Sequence, residues 1–350
     1  MAGRAAKDAP PPEVVLAAGR EVTITSPQKV LFTTRQDTKL DLVRYYLAME
    51  EPVMRAIGGR PVLMQRFPNG AGGSSFFQKR VPDGAPDWLT TTIVSTPNGT
   101  ESRALVIADI AHLVWAVNLG CLGFHAGPRR AADPEHAGEL RIDLDPSPGT
   151  TFAMAQEAAL ATKVLLDELG LRAGIKTTGN RGLHVYVRLQ PRWDSYAVRA
   201  AAVAIARELA RRHPDLVTDA WWKEERGPRI FVDFNQNAPH KTVFALWSVR
   251  AREHAPVSCA FEWDELPTIR PDELTIATVP ARVAAGGDPW APLDDEPQSL
   301  DGALELVRRD EAAGLPDAPW PPVYPKMAGE APRVAPSRAK RPPATEEGAR

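Results

Sequence analysis

Two aspartates stand one residue apart in Arg141-Ile142-Asp143-Leu144-Asp145-Pro146, within a run that alternates polar and apolar residues from Glu139. Such alternation predicts a β-strand whose side-chain period of two puts Asp143 and Asp145 on one face and Ile142 and Leu144 on the other. Like charges at neighbouring positions of one face repel, so the pair calls for solvent or a divalent cation, and carboxylate oxygens suit magnesium or manganese. The same residues also read as a strand end at Asp145-Pro146-Ser147 leading into a helix. A third carboxylate, Asp233, follows in Arg229-Ile230-Phe231-Val232-Asp233-Phe234, with Ile230, Val232 and Phe234 alternating inward. Were the two strands close, the three carboxylates would frame two metal ions about 3.5–4 Å apart, the clamp for the attacking and leaving oxygens of a phosphoryl displacement.

Phosphate ligands accompany the acids. Thr178-Gly179-Asn180-Arg181-Gly182-Leu183-His184 offers hydroxyl, amide, guanidinium and imidazole groups around two glycines, so that freed backbone amides and Arg181 can cradle a polyphosphate. A hairpin turn with a histidine at a strand start accounts for the same residues. Arg226, Arg229 and Arg250 add cations near the third carboxylate, although any one arginine taken alone more often lies on a solvated surface than against a ligand.

These groups need a scaffold, and the hydrophobic pattern predicts a mixed α/β one. Leu40 to Ile57 has helical spacing interrupted by Pro52; Arg60 to Phe67 and Ala104 to Ala108 read as strands and Ile110 to Leu119 as an amphipathic helix. From Glu139 onward the pattern predicts a strand to Asp145, a helix from Thr150 to Leu169 closed by Gly170, strands at Arg172 to Thr177 and Gly182 to Leu189, a helix from Asp194 to Arg212, and a strand from Ile230 to Phe234. That order, βαββαβ, belongs to a ferredoxin-like or RRM-like sheet.

The totals hide the charge pattern. Lys and Arg number 42 against 44 Asp and Glu, a formal net charge of −2, so brute basicity does not announce a nucleic-acid binder. By segment, however, Lys29 to Arg80 is basic, whereas Asp288 to Asp317 is acidic. Thirteen of the 34 prolines fall between Pro280 and Pro343, a density that excludes regular structure over most of that stretch. Cys121 and Cys259 are too few for a thiolate zinc site and read as buried apolar residues. Without a membrane-length apolar run or a signal-type stretch, the chain is expected to be soluble and cytoplasmic, with no membrane association.

The three motifs together, Asp143-Leu144-Asp145-Pro146, Thr178 to Tyr186 and Phe231 to Asn237, resemble in order and spacing those of the polymerase domain of bacterial DNA ligase D, within the archaeo-eukaryotic primase superfamily. The resemblance runs from about Val22 to Pro292. It implies a primase-polymerase fold, an α/β (α+β) architecture with the RRM-like catalytic sheet beside an N-terminal mixed α/β subdomain. Together with the composition of the ends, it divides the chain into a disordered N-terminus (1–12), a catalytic domain (13–292), an acidic, proline-rich extension (293–327) and a disordered tail (328–350).

By resemblance the metal-binding carboxylates fall on Asp143, Asp145 and Asp233, holding two manganese or magnesium ions. Nucleotide contacts fall on Thr178, Asn180, Arg181, His184, Arg226, Gln236 and Arg250, with His125 beside the sugar. Lys29 and Lys39, with Ser26, would grip the 5′-phosphate of a downstream strand, where basic charge is already in excess. Phe76-Phe77 resembles an aromatic pair that packs on template bases, with a core role open for one of them, and Arg66 lies near the template. Three departures stand out: Ser26 for a usual asparagine, Gln65 before Arg66 where Lys-Arg is common, and Arg181 for a lysine, which turns a point charge into a planar fork.

The resemblance implies a template-dependent polymerase taking NTP or dNTP with a ribonucleotide preference, and a stand-alone enzyme of the kind some bacteria carry beside ligase D. It is expected to be a nucleoid-associated monomer that fills short gaps in excision repair, with DNA bearing a 5′-phosphate as partner. End filling in non-homologous end joining, with Ku or a repair ligase, is the runner-up, and primer synthesis a third option. A non-catalytic binder of 5′-phosphorylated ends is the alternative of another class.

Overall fold

The strand Glu139–Pro146 is the axis of the molecule. It pairs antiparallel with Leu183–Arg188 on one side and with Ile230–Val232 on the other. In this computed structural model, which describes residues 11–330 and Arg333, the sheet runs Val217–Thr218, Ile230–Val232, Glu139–Pro146, Leu183–Arg188, Gly174–Thr177, Ala260–Phe261. The four strands of the βαββαβ unit thus stand in the order fourth, first, third, second, so its first and last strands are direct neighbours.

Leu140, Ile142 and Leu144 are fully buried beneath two helices, Phe152–Glu168 and Ser195–Arg212, both packed on this strand. The caps explain where those helices begin. Thr151 Oγ1 accepts from the Met154 amide at 3.3 Å, and Asp194 Oδ1 accepts from the amides of Tyr196 and Ala197 at 3.0 and 2.9 Å. Each such cap stabilises by about 1 kcal/mol. Gly170, with φ +73°, closes the first helix, and the Leu171 amide returns to the Leu166 carbonyl at 2.8 Å.

The second sheet has the order Val243–Phe244, Cys121–Ala126, Pro61–Arg66, Glu101–Val106, Thr91–Ser95, with Phe76–Gln78 paired to Pro61–Arg66 as well. Helix Ile110–Asn118 packs against it. Leu40 to Ile57 is two helices, Lys39–Ala48 and Glu50–Ile57. The break precedes Pro52 by three residues because proline, lacking an N–H, is tolerated in a first helical turn. Cys121 and Cys259 are both fully buried.

The proline-dense stretch is not free of helix. Asp301–Ala312 forms in the proline-free interval between Pro297 and Pro316 and lies along Ser195–Arg212, where Arg309 Nη1 meets Glu208 Oε2 at 2.8 Å. Of the segments read as disordered, residues 1–10, 331–332 and 334–350 lie outside the described residues. Among the described residues no helix is long and apolar enough to cross a membrane.

Candidate nucleotide and metal site

The face of Glu139–Pro146 turned away from the helices carries Glu139, Arg141, Asp143 and Asp145 in succession. The Asp233 amide donates to the Asp143 carbonyl at 2.9 Å, so the third carboxylate stands beside the first two through the backbone. Its strand stops at Val232, two residues earlier than the alternation suggests, and Phe231 is buried rather than solvent-facing. Asp233 instead caps a 3-10 turn, Phe234–Asn237: its carboxylate accepts from the Asn235 amide at 3.1 Å and from Gln236 Nε2 at 2.6 Å.

The carboxylates are under-neutralised. Burial raises the Asp143 pKa to about 6, with Lys176 and Arg250 offsetting only part of the effect. Asp233 is likewise pushed up to about 6 by burial and then by Asp143. Asp145 moves upward from desolvation and the charge of Asp143, against Arg226 and Arg181. Among the described residues no three His, Cys, Asp or Glu side chains close around one point as an ion would require. Asp143 leans on His184 Nε2 at 3.2 Å, Asp233 is turned to Gln236, and Asp145 faces solvent. Mutual repulsion keeps such groups apart, and the donor set, three hard and incompletely compensated carboxylates, fits a divalent cation.

The segment from Thr178 to Gly182 is a tight turn wedged under this strand. Thr178 Oγ1 accepts from the amides of Asn180 and Gly182 at 3.2 and 3.3 Å, and the Thr178 carbonyl accepts from Arg250 Nε at 2.9 Å. A Cβ on Gly182 would lie 2.7 Å from the Leu144 carbonyl oxygen, and one on Gly179, at φ +67°, 2.8 Å from Arg250 Cγ. Only glycine fits at both positions. Arg181 is exposed at the tip. Arg250 stacks 3.5 Å over Phe244, and Arg226 stacks 3.5 Å over Phe231 while its charge reaches Asp233 and Asp145.

Two histidines complete the pocket as neutral groups. His184 stacks on Tyr186 at 5.7 Å; its pKa falls well below the usual value through burial and then the charges of Lys176, Arg250 and Arg141. Its Nδ1 is buried without a partner. His125 sits edge-on between Phe77 and Phe244, at 5.4 and 5.2 Å, and burial first, then Arg250 and Lys176, lowers its pKa to about 3. His125 Nε2 is likewise buried without a partner. A cleft of ≈ 530 Å³ continues from His125 and Phe77 past Lys79, Arg129 and Lys241.

The sequence reading missed Lys176. It is fully buried opposite His184 in the hairpin register, and its ammonium donates to Ser258 Oγ at 2.7 Å and the Phe244 carbonyl at 3.2 Å. A lysine in an alternating strand reads as solvent-facing; only its place in the hairpin opposite His184 could have flagged it.

Ser26, Lys29, Lys39 and Arg66 gather in a second cluster around the end of helix Ile110–Asn118. Lys39 is buried, with Nζ donating to the Thr25 carbonyl at 2.6 Å and to the Asn118 carbonyl and Oδ1 at 3.0 and 3.4 Å. Lys29, which is exposed, contacts the Pro68 carbonyl, and the Lys39 amide donates to the Lys29 carbonyl at 2.8 Å. Ser26 holds φ +48°, left-handed backbone in which asparagine or glycine is less strained than serine. Arg66 donates to the Leu119 carbonyl at 2.8 Å and lies 5.2 Å from the Phe76 ring. Neither phenylalanine of the pair is in the core: Phe76 and Phe77 are 46% and 55% exposed, because among the described residues their short strand pairs with Pro61–Arg66 alone and the rings meet only Arg66 and the edge of His125.

A strand-borne acid pair, a third acid just past the end of the neighbouring strand and a glycine turn beneath them on an RRM-like sheet define a primase-polymerase. The chain belongs to the family of the LigD primase-polymerase domain, which it matches over residues 38–290. Nucleotide substrates and dependence on a divalent metal go with that family in general. It is 32% identical over 311 residues to the multifunctional non-homologous end joining DNA repair protein LigD of Mycobacterium tuberculosis, spanning 86% of this chain and 41% of that protein. With LigD of Pseudomonas aeruginosa it shares 33% identity over 293 residues, 82% of this chain and 34% of the relative. The chain thus covers about two fifths or less of these relatives' length. The solved polymerase domain of Mycobacterium tuberculosis ligase D in complex with DNA superimposes with a TM-score of 0.75 at 33% identity, covering 79% of this chain and 99% of that one.

Proposed function

We propose that the chain is a template-dependent nucleotidyltransferase that extends a primer 3′-hydroxyl across short gaps bounded by a downstream 5′-phosphate. The observation that carries this reading is the set of Asp143 and Asp145 on one strand, with Asp233 at the end of its neighbour, above the Thr178–Gly182 turn. Asp143 and Asp145 would hold the nucleotide-side ion, and Asp233 would help hold the primer-side one. Bound there, divalent cations supply charge neutralisation and Lewis-acid polarisation of the phosphoryl oxygens. His184 orients Asp143, and Gln236 fixes Asp233. Arg181, Arg250 and the turn's amides receive the polyphosphate, then the leaving pyrophosphate, as charge develops. Neutral His125 offers its ring nitrogen to the sugar, in line with a preference for ribonucleotides. Lys29 serves as the exposed cation for the downstream phosphate, while Lys39, whose ammonium already has carbonyl and amide oxygen partners, sets the floor of that pocket.

A second pathway, end filling in non-homologous end joining, is favoured by the names of the LigD relatives. The activity itself is tested by primer extension with Asp143→Ala/Asp145→Ala. The double variant should lose at least about 10³-fold, in keeping with loss of the principal electrostatic element of a site; extension equal to wild type would sink the enzyme reading in favour of a DNA-end binder. Extension on gaps with and without a downstream 5′-phosphate, in wild type and Lys29→Ala, tests gap filling, and joining assays with Ku test the second pathway.

A further inference from the structure

We propose that the C-terminal strap, residues 317–330, is a positioning element of the carboxylate site, holding Asp233 in place through Asn235. The strap lies outside the stretch matched to the family, 38–290. The proposal rests on the polymerase reading and adds a role for a segment which that reading does not use.

Asp233 begins the Phe234–Asn237 turn, and both carboxylate oxygens are tied to residues of that turn. The turn is in its turn held from two sides. Toward the sheet, Asn237 brackets Arg141, accepting from its amide at 2.8 Å and donating to its carbonyl at 2.7 Å. Away from the sheet, Asn235, 1% exposed, accepts from Arg199 Nε at 2.8 Å and donates through Nδ2 to the Pro319 carbonyl at 2.9 Å.

Arg199 depends on the strap in the same way. It is 2% exposed on helix Ser195–Arg212. Its other nitrogens donate to Asp317 Oδ1 at 2.9 Å and the Ala318 carbonyl at 2.8 Å, and its guanidinium lies 3.8 Å from the Trp320 ring centre. Trp320 Nε1 donates to Asp317 Oδ2 at 2.7 Å, while Trp320 and Tyr324 form a small buried cluster with Ala238, the residue that follows the turn. The Tyr324 hydroxyl donates to the Pro239 carbonyl. Glu330, 7% exposed, closes the strap by accepting from the amides of Trp320 and Met327 at 2.8 and 3.0 Å. Without the strap, a buried guanidinium and a buried amide would lose partners two residues from Asp233, and both would rearrange to find water. Displacing a catalytic carboxylate by a fraction of an ångström is costly for phosphoryl transfer, whereas the Lys29 cluster shares no residue with this chain of contacts.

The test uses the full chain carrying Trp320→Ala, or Asp317→Asn, which keeps shape but removes the charge facing Arg199. Three quantities are read: single-turnover nucleotide incorporation, Mn²⁺ bound in the presence of nucleotide, counted from the free-ion paramagnetic resonance signal, and affinity for a 5′-phosphorylated duplex end. Trp320→Ala should slow incorporation about tenfold or more and weaken Mn²⁺ binding several-fold, with end binding within about twofold of wild type; Asp317→Asn should give a smaller change of the same pattern. Should Trp320→Ala fail to fold, Asp317→Asn carries the test. Folded variants with wild-type incorporation and Mn²⁺ binding would overturn the proposal, as would equal losses in all three quantities. A wild-type chain that does not extend primers would sink the polymerase reading instead, and the Mn²⁺ measurement would still report on the strap.

Discussion

Glu139 and Asp143 lie four residues apart on one face of one strand, yet their surroundings push them in opposite directions. Burial alone would raise the pKa of Glu139, but Arg60, Arg141 and Arg188 outweigh it and hold the carboxyl down to about 2. Arg60 Nη2 stands 3.0 Å from it and Arg141 Nε 2.8 Å, and Arg188, which also pairs with Asp294, makes a further contact. Asp143 has burial without enough cations and rises to about 6. The first carboxylate ties the two sheets together and is complete within the protein. The second is left incomplete, the mark of a group set aside for a ligand rather than for the fold.

The contrast can be broken at either end. The largest stability effect should come from Glu139→Gln, which leaves several buried guanidinium groups facing a neutral amide; loss of a buried ion-pair partner costs about 3–5 kcal/mol. Urea unfolding at neutral pH measures it. Asp143→Asn should act with the opposite sign. Between the unfolded value near 3.8 and the folded value of about 6, the native state holds a proton that the unfolded chain has released, so metal-free wild type loses stability as pH rises through that window. The amide removes the penalty, and the variant should gain on the order of 1–3 kcal/mol at pH 7 while losing primer extension. Unfolding midpoints at pH 4 and pH 7 for both proteins decide this; a wild-type curve that climbs from pH 4 to 6 in step with the variant would refute it. The smallest effect on the fold is expected at Phe77→Ala. Its ring is 55% exposed, so stability should barely move, while affinity for single-stranded template should fall by about 1–3 kcal/mol, the worth of stacking on one base.

Much of the half that carries the three aspartates is legible because each signal is local. Alternation at Glu139 to Asp145, helical spacing after Thr150 and Asp194, and Gly170 as a helix stop point to the βαββαβ order, in which the first and last strands can be neighbours; the sheet shows that they are. What stayed hidden depends on contacts between distant segments. Lys176 looks like a solvent-facing strand residue until the hairpin places it opposite His184. Asn235 and Arg199 look like surface groups until the strap covers them. The helix Asp301–Ala312 was masked by averaging proline over a stretch whose prolines are clustered. Phe76 and Phe77 left a core role open, which the exposure of both rings removes.

If the incomplete end of this strand binds the metal, manganese must be found there. Diffraction from crystals soaked in Mn²⁺ with a non-hydrolysable nucleotide, recorded for manganese anomalous scattering, tests it most directly. The account predicts anomalous peaks bounded by Asp143, Asp145 and Asp233, with the polyphosphate over the Thr178–Gly182 turn and no peak at Glu139. Manganese absent from the three aspartates while nucleotide is bound, or seated at the Glu139 end, would contradict it.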